Sequence, residues 1–309
     1  MADLSVIIVS YNTRELTLKA IETLLENSGE IRTQVVVWDN ASHDGSADAI
    51  RERFPKVRVI AHEKNVGFAA ANNLAVKHTK SDWVLLLNPD TETHPGAIEN
   101  LLRFAKDNPQ AGIVGGRTVF PDGSLNPSSC WARMTPWSLF CQAFGLTRVF
   151  PHSELFNPES MGAWPRDTVR EVDIVVGCFF LLRRELWNEL GGFNKKYFMY
   201  GEEADLCLRA RALGYRPMIT PDAQIMHLVG ASETFRYEKT IRLMKAKATL
   251  IEDHWRSNDR RLGKVLLWLW IANRRYGSVL VAFLRNDYGV SGNWKKVWEA
   301  RKDWMGGYS

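Results

Sequence analysis

The stretch SDWVLLLNPDTE, Ser81–Glu92, runs five large apolar residues together, Trp83–Leu87, and then stops abruptly at Asn88-Pro89-Asp90. A short, wholly apolar run closed by turn residues predicts a strand buried on both faces of a parallel sheet. Pro89 has no N–H to give to a ladder, so the strand ends there. Asn88 and Asp90 then stand just beyond a strand's carboxyl end, where open α/β sheets hold their ligands. A carboxylate in that position suits a divalent cation gripping a diphosphate. The plainer alternative is an Asx-type turn followed by a helix cap.

Working outward, Leu4–Val9 is a second buried run, leaving through Ser10-Tyr11-Asn12. Asn12 with Glu15 fits a capping box that opens a helix to about Glu26. Gln34–Trp38 is a strand ending in Asp39-Asn40, followed by a polar turn and a helix over Ala47–Arg53. Val57–Ala61 is a strand, Asn65-Val66-Gly67-Phe68 a loop, and Ala69–His78 a helix of small residues. Regular β/α alternation over about ninety residues predicts a doubly wound, mostly parallel sheet with helices on both faces. Several polar clusters at strand ends converge on one sheet edge and so form a ligand crevice. Neither GxGxxG nor GxxxxGK[ST] follows the first strand, which argues against a Rossmann dehydrogenase and against a P-loop.

Further on, Pro95–Asp107 reads as a helix, Ile113–Gly116 as a strand and Phe120-Pro121-Asp122-Gly123 as a hairpin turn. Residues 124–170 are rich in Trp, Pro, Ser and Phe without clear period, the pattern of a packed aromatic loop or of an acceptor lid. Val172–Leu182 is strand-like on both sides of Gly177-Cys178, and Arg184–Leu190 is a helix closed by Gly191-Gly192. Glu202, Glu203 and Asp205 occupy the first turn of a helix that ends at Gly214, where the macrodipole alone accounts for acidic residues. Arg216–Thr220 is a strand, and His227 follows Ile225-Met226.

Composition sets the class. With 309 residues, 45% hydrophobic and 24% charged, the chain can bury a large core. Its four cysteines form no CxxC pair and no ligand cluster, as in a reduced intracellular protein, and no basic n-region precedes the first strand. The net charge of +5 is uneven: from Trp255 onward eleven Lys and Arg face four Asp and Glu, a net +7, which leaves −2 for the first 254 residues. That tail also carries six of the twelve tryptophans.

The ordered set VSYN (Val9–Asn12), WDNASHDGS (Trp38–Ser46), NVGFAAANN (Asn65–Asn73), LLNPD (Leu86–Asp90), GCFFLLRRELWNELGGF (Gly177–Phe193), YGEEADLCLRA (Tyr200–Ala210) and His227 resembles family 2 glycosyltransferases of GT-A fold, in particular their rhamnosyltransferase-like branch. The resemblance covers about Leu4 to Ser232. It implies an α/β, GT-A type catalytic domain over 1–235, with a nucleotide-sugar half to about 120 and an acceptor half from about 121. A helical appendage, 236–309, follows. It implies nucleoside contacts from Tyr11, Asn12, Asp39 and Asn65, with Ser10, Asn40, Gly67, Asn72 and Asn88 in the same nucleotide-sugar site. Asp90 matches the family's metal-binding carboxylate, while Asn88 replaces the first Asp of the Asp-x-Asp motif and removes one charge. His227 matches a histidine that helps hold the metal–diphosphate, with Mg²⁺ or Mn²⁺ as cofactor. Glu203 falls on the catalytic-base position, with Glu202 as the off-by-one alternative.

The implied reaction is an inverting transfer from a nucleotide sugar, dTDP-rhamnose first and UDP-hexose or UDP-N-acetylhexosamine second, to a saccharide or lipid-linked saccharide acceptor of a surface polysaccharide. A non-catalytic nucleotide-sugar or carbohydrate-binding relative is the alternative of another class, although both carboxylate positions are kept. No nucleic-acid recognition motif accompanies the basic tail. Over Leu262–Leu284 the tail is apolar but interrupted by Asn273-Arg274-Arg275. Wound as a helix, it sets Arg260, Arg261, Lys264, Arg274, Arg275 and Arg285 on one side and Leu262, Leu266, Leu269, Tyr276, Leu280 and Phe283 on the other. This predicts an interfacial helix on the inner face of the cytoplasmic membrane, with packing against the protein as the alternative and a break at Gly277 possible.

Overall fold

The computed structural model describes residues 2–228, 236–285 and 289–309. In chain order the elements are β1 (Leu4–Ser10), α1 (Arg14–Glu26), β2 (Thr33–Asp39), α2 (Ser46–Arg53), β3 (Arg58–Ala61), α3 (Phe68–Val76), β4 (Trp83–Leu87), β5 (Thr91–Thr93), α4 (Ala97–Asp107) and β6 (Ile113–Val119). Then come β7 (Cys130–Trp131), α5 (Pro136–Ala143), α6 (Leu146–Val149), β8 (Arg170–Glu171), β9 (Ile174–Val175), β10 (Phe179–Arg183), α7 (Arg184–Glu189), α8 (Glu202–Ala212) and β11 (Met218–His227). Four helices complete the chain: α9 (Arg236–His254), α10 (Ser257–Arg285), α11 (Gly289–Glu299) and α12 (Arg301–Gly306).

The chain divides into two compact units. The first holds residues 1–131, 164–198 and 202–232; the second holds 132–163, 199–201 and 233–309. The boundary expected at 235 falls among residues outside the described ones. Residues 132–163, expected in the acceptor half, cluster instead with the C-terminal helices.

The first unit is built on one sheet of order β3-β2-β1-β4-β10-β6-β11-β5, with β8 pairing β11 at the side. β1 pairs in parallel with both β2 and β4, and every residue of β1 and β4 is buried, which is why β4 is apolar throughout and β1 is apolar but for Ser5 and Ser10. β10 runs antiparallel to β4 and β6, and β11 parallel to β6. α1 and α4 pack their apolar faces on this core: Leu18, Ile21 and Leu24 from α1, and Ile98, Leu101, Leu102 and Ala105 from α4. Each fully buried Leu or Ile contributes roughly 1.5–3 kcal/mol.

Three local expectations differ from the structure. Asn12 caps nothing: α1 opens after Thr13 without a side-chain cap, because the Asn12 Oδ1 accepts the His43 N–H at 2.7 Å instead. Thr91–Thr93, read as loop, is the strand β5 and pairs antiparallel with the end of β11. β11 is longer than the expected Arg216–Thr220 and carries a register shift between Thr220 and Gln224 before reaching His227. The hairpin turn is present, with Gly123 N–H donating to the Phe120 carbonyl.

Polar pins hold the helices in register. Arg184 donates to the Ser81 carbonyl at 2.6 Å and to the Thr79 hydroxyl at 2.7 Å, tying the end of α3 to the start of β4. Asn73 clasps Phe193 through both backbone groups, at 2.7 and 2.9 Å. Asp205 pairs with Arg209 at 2.8 Å, and Arg209 also donates to the Leu190 and Gly192 carbonyls. The Gly-Gly-Phe turn is therefore clamped from two helices.

The second unit has its own core, in which Leu139 of α5 meets Met244, Ile251, Leu266, Leu267 and Ile271. The tail helix thus differs from the simple two-sided pattern: Leu266 faces inward, while Leu262, Tyr276 and Phe283 are exposed and Arg274 is half-buried. The side chains of Leu280 and Arg285 lie outside the described residues. α10 runs through Gly277 without a break, and among the described residues no helix is long and apolar enough to cross a membrane.

Replacing Asp205 by Ala leaves the Arg209 guanidinium without its carboxylate. The expected cost is about 2–3 kcal/mol, toward the low side for such a pair because the Arg209 side chain is 28% exposed. Urea unfolding of the variant against the wild type measures it.

Candidate active site

Because β1, β2, β4, β6 and β11 run parallel, their carboxyl ends share one edge, and the antiparallel β5 and β10 begin there. Ser10 lies opposite Asp39, Ile8 opposite Leu87, and His227 opposite Thr91. Most of the residues singled out in the sequence fall on this edge by topology alone.

The nucleotide-side wall is laced together by its own amides. Asn40 Nδ2 donates to Asn65 Oδ1 at 2.8 Å, Asn40 Oδ1 accepts the Val66 N–H at 3.0 Å, and Asn65 Oδ1 also accepts the Gly67 N–H at 3.0 Å. Gly67 has φ +82°, and a Cβ there would lie 2.4 Å from the Phe198 carbonyl oxygen, so this loop needs glycine. Asp39 is buried and accepts the Ser42 N–H at 2.7 Å. Asn12, at φ 52°, donates its N–H to Ser42 Oγ, while Tyr11 is exposed on the rim. Two of the expected residues already make hydrogen bonds within the protein. Ser10 shares a buried hydroxyl cluster with Thr13 and Thr17, and Asn72 Nδ2 donates to the Phe68 carbonyl inside α3.

At the other end of the edge, Asp90 is 5% exposed and its Oδ1 lies 3.4 Å from His227 Nε2. The backbone fixes this contact, since Leu228 N–H donates to the Asp90 carbonyl and the Thr91 hydroxyl caps the Asn88 carbonyl at 2.6 Å. Burial disfavours the His227 imidazolium, but the neighbouring Cys178 sulfur and Asp90 outweigh it and raise its pKa to about 10. Asn88 Oδ1 and His227 Nδ1 are buried without a hydrogen-bond partner. One carboxylate, an unused amide oxygen and an imidazole that can ligate only once a cation displaces its proton suit a divalent ion whose remaining ligands come from a diphosphate. Among the described residues no group of three or more His, Cys, Asp and Glu forms a metal cage by itself.

Glu202 and Glu203 open α8 with opposite fates. Glu202 is buried, its Oε2 lacks a partner, and burial followed by the charges of Glu203 and Asp205 pushes its pKa well above the usual carboxylate range. Glu203 is half-buried beside Gly177, where an added Cβ would touch Phe68 at 3.7 Å and the Glu203 Cβ at 3.9 Å. The next residue, Cys178, accepts the Asn88 N–H on its carbonyl, so Glu203 stands one peptide away from the loop of residues 88–90. Sequence reasoning missed two parts, Cys178 and Asn126, which donates to the His227 carbonyl at 3.1 Å, and it read Ser42-His43-Asp44 as a polar turn without the contacts by which it braces residues 12–14. Asn126 left no signal; Cys178 could have been found from its place at the centre of GCFF.

The model of glycosyl transferase family 2 matches residues 5–191. The chain belongs to that family. An N-acetylglucosaminyl-diphospho-decaprenol L-rhamnosyltransferase of Mycobacterium tuberculosis is 32% identical over 217 residues, covering 62% of this chain and 66% of its own length. The rhamnosyltransferase WbbL of Escherichia coli is 25% identical over 248 residues, 77% of this chain and 88% of that protein. These relatives put the chain in the rhamnosyltransferase-like branch. A mannosyltransferase of Pyrobaculum calidifontis, solved with GDP-mannose and Mn²⁺, superposes with a TM-score of 0.57 at 19% identity, covering 98% of this chain and 85% of that one, and shares the GT-A type fold.

The Glu202 environment has a pH consequence. A folded pKa above the unfolded value means that the folded state keeps a proton the unfolded state has released, so stability falls as pH rises from about 4.5 toward the folded value. Glu202→Gln should remove that slope, gaining thermal stability relative to the wild type at pH 9 but not at pH 4. Melting curves across this range check it.

Proposed function

We propose that the chain is an inverting, metal-dependent glycosyltransferase that moves a sugar, rhamnose from dTDP-rhamnose as first choice, onto a saccharide or lipid-linked saccharide acceptor in surface polysaccharide synthesis. The observation that carries this reading is the buried Asp90–His227 contact at the end of β4, next to the Glu203 side of Gly177-Cys178. The laced loops of residues 10–12, 39–46 and 65–67 supply the wall on which a nucleoside rests. Asp90 and His227, with Asn88 Oδ1, are the groups that would hold Mg²⁺ or Mn²⁺, and such an ion neutralises the charge on a departing diphosphate. The Glu203 carboxylate takes the proton from the attacking acceptor hydroxyl. Attack from the side opposite the leaving group inverts the anomeric centre in a single displacement. Glu202, buried and with its pKa raised by burial, is the less suited of the two to act as base. Work at the cytoplasmic face of a membrane, through the C-terminal segment, fits an acceptor on a lipid carrier, and the exposed Val265, Trp268, Tyr276, Val279 and Phe283 of α10 support it.

Donor choice is read by thermal stabilisation with a panel of nucleotide sugars, with and without Mn²⁺. A donor at 100 times its Kd stabilises by about 2.7 kcal/mol. dTDP-rhamnose should give the largest metal-dependent shift; a larger shift with UDP-hexose or UDP-N-acetylglucosamine reassigns the sugar. Glu203→Gln should keep this shift and lose roughly 10²–10⁴ in turnover. Asp90→Ala should lose the metal-dependent part of the shift. Full transfer by Glu203→Gln with a dead Glu202→Gln would exchange the two roles, and full activity in excess EDTA would remove the metal from the scheme.

A further inference from the structure

Six of the eight residues of α5, PWSLFCQA, are apolar and they occur on both its faces, yet only one face is covered. Leu139, Cys141 and Ala143 are buried, and Leu139 belongs to the core of the second unit. The opposite face presents Trp137 and Phe140, with Phe144 just after the helix, at 42%, 37% and 54% exposure. A helix with apolar residues on every side is ordinarily buried on every side. These rings also form a built surface. Trp137 stacks on Phe140 at 5.5 Å, Phe140 meets Phe144 at 4.6 Å, and Phe156 bridges Trp137 to Phe150. Trp137 Nε1 donates to the Leu155 carbonyl at 2.7 Å, which fixes the indole in place, and Leu155 and Val149 extend the apolar rim at more than 60% exposure.

Cations border this ledge. Asn273 Nδ2 donates to the Ala143 carbonyl, which puts Arg274 and Arg275 of α10 beside the end of α5. Burial and the charge of Arg148, on α6, both lower the pKa of Arg274, so two like charges are held close together. Arg275 Nη1 is buried with no hydrogen-bond partner. Neither 135–153 nor 260–286 contains an Asp or a Glu, and Glu159, which accepts from Ser138 on the buried side of α5, is paired with Lys247. Aromatic rings bordered by guanidinium groups match a bilayer interface, where rings sit at the level of the headgroups and arginines meet lipid phosphates.

We propose that the aromatic ledge of α5, Trp137, Phe140 and Phe144, with Arg148 and Arg274 at its border, docks the protein on an anionic phospholipid surface. This rests on the reading that the chain works at a membrane, and it moves the principal contact from the tail to residues 137–148. A lipid-linked acceptor then meets the enzyme already held at the bilayer, whereas the rest of the surface stays in water.

The experiment is co-sedimentation of the full chain with vesicles rich in phosphatidylglycerol and with pure phosphatidylcholine, at low and high salt. The wild type should bind the anionic vesicles and be released in part by salt. The triple variant Trp137→Ser, Phe140→Ser, Phe144→Ser should lose more than about tenfold in partitioning. Arg148→Gln with Arg274→Gln should lose the preference for anionic lipid and the salt dependence. Trp137→Phe keeps a ring in place, and it should bind while losing part of the fluorescence quenching by brominated lipid. Melting curves show whether the serine variant is folded; if it is not, the quenching result decides. Unchanged binding of the folded serine variant, unchanged quenching in Trp137→Phe, or concentration-dependent dimerisation through this face overturns the ledge. Loss of binding in a Tyr276→Ser, Val279→Ser, Phe283→Ser variant with the ledge variants unaffected overturns it too, and leaves membrane attachment to the tail. If the wild type ignores anionic vesicles, the ledge and the membrane reading fall together, while transfer to a water-soluble acceptor still tests the catalytic reading by itself.

Discussion

The parallel pairing of β1 with both β2 and β4 is the constraint from which the rest of the first unit follows. It needs strands apolar on both faces, which demands helices on both sides, and it delivers the ends of three strands to one edge in fixed register. Ser10 opposite Asp39, and Ile8 opposite Leu87, leave the polar exits of those strands no other place to go. Chemistry at that edge is a by-product of core packing, because the same hydrophobic burial that holds the sheet also aligns the loops.

Within this frame the side chains divide their labour. Asn40 and Asn65 satisfy each other and the backbone of residues 66–67, so they shape a wall. Asn88 Oδ1 and His227 Nδ1, buried and unmatched, are where the protein leaves polar capacity unspent. A buried polar atom without a partner costs about 1–3 kcal/mol, and such a cost is tolerated where a ligand repays it. The two glutamates at the head of α8 differ in exposure: Glu202 is buried, which pushes its pKa up, while Glu203 is half-buried.

Legibility in the sequence tracked how local the cause was. β1 and β4 were plain because burial on both faces leaves an uninterrupted apolar run, and α4 was plain because its apolar residues keep helical spacing. β5 was not, since Thr-Glu-Thr has three residues and draws its strand character from β11, distant in the chain. Asn12 looked like a cap because the local rule fits; His43, thirty-one residues away, took its oxygen instead. Residues 124–170 looked irregular because α5 and α6 are short and are held by the C-terminal helices, which no local period can reveal. The site residues were recognisable as an ordered set of motifs, but the use of Ser10 in a hydroxyl cluster and of Asn72 within its own helix depends on contacts that spacing does not encode.

The antiparallel pairing of β5 with the last residues of β11 has a consequence in time. Asp90 is made early in synthesis, yet its imidazole partner leaves the ribosome only after the whole of the intervening chain. The nucleotide wall, with Asn40 and Asn65 close together in sequence, can fold early and cheaply, whereas closing the loop between Thr91 and His227 is a late, high contact-order event. A nascent chain can therefore hold the Asn40–Asn65 wall well before it holds the Asp90–His227 pair.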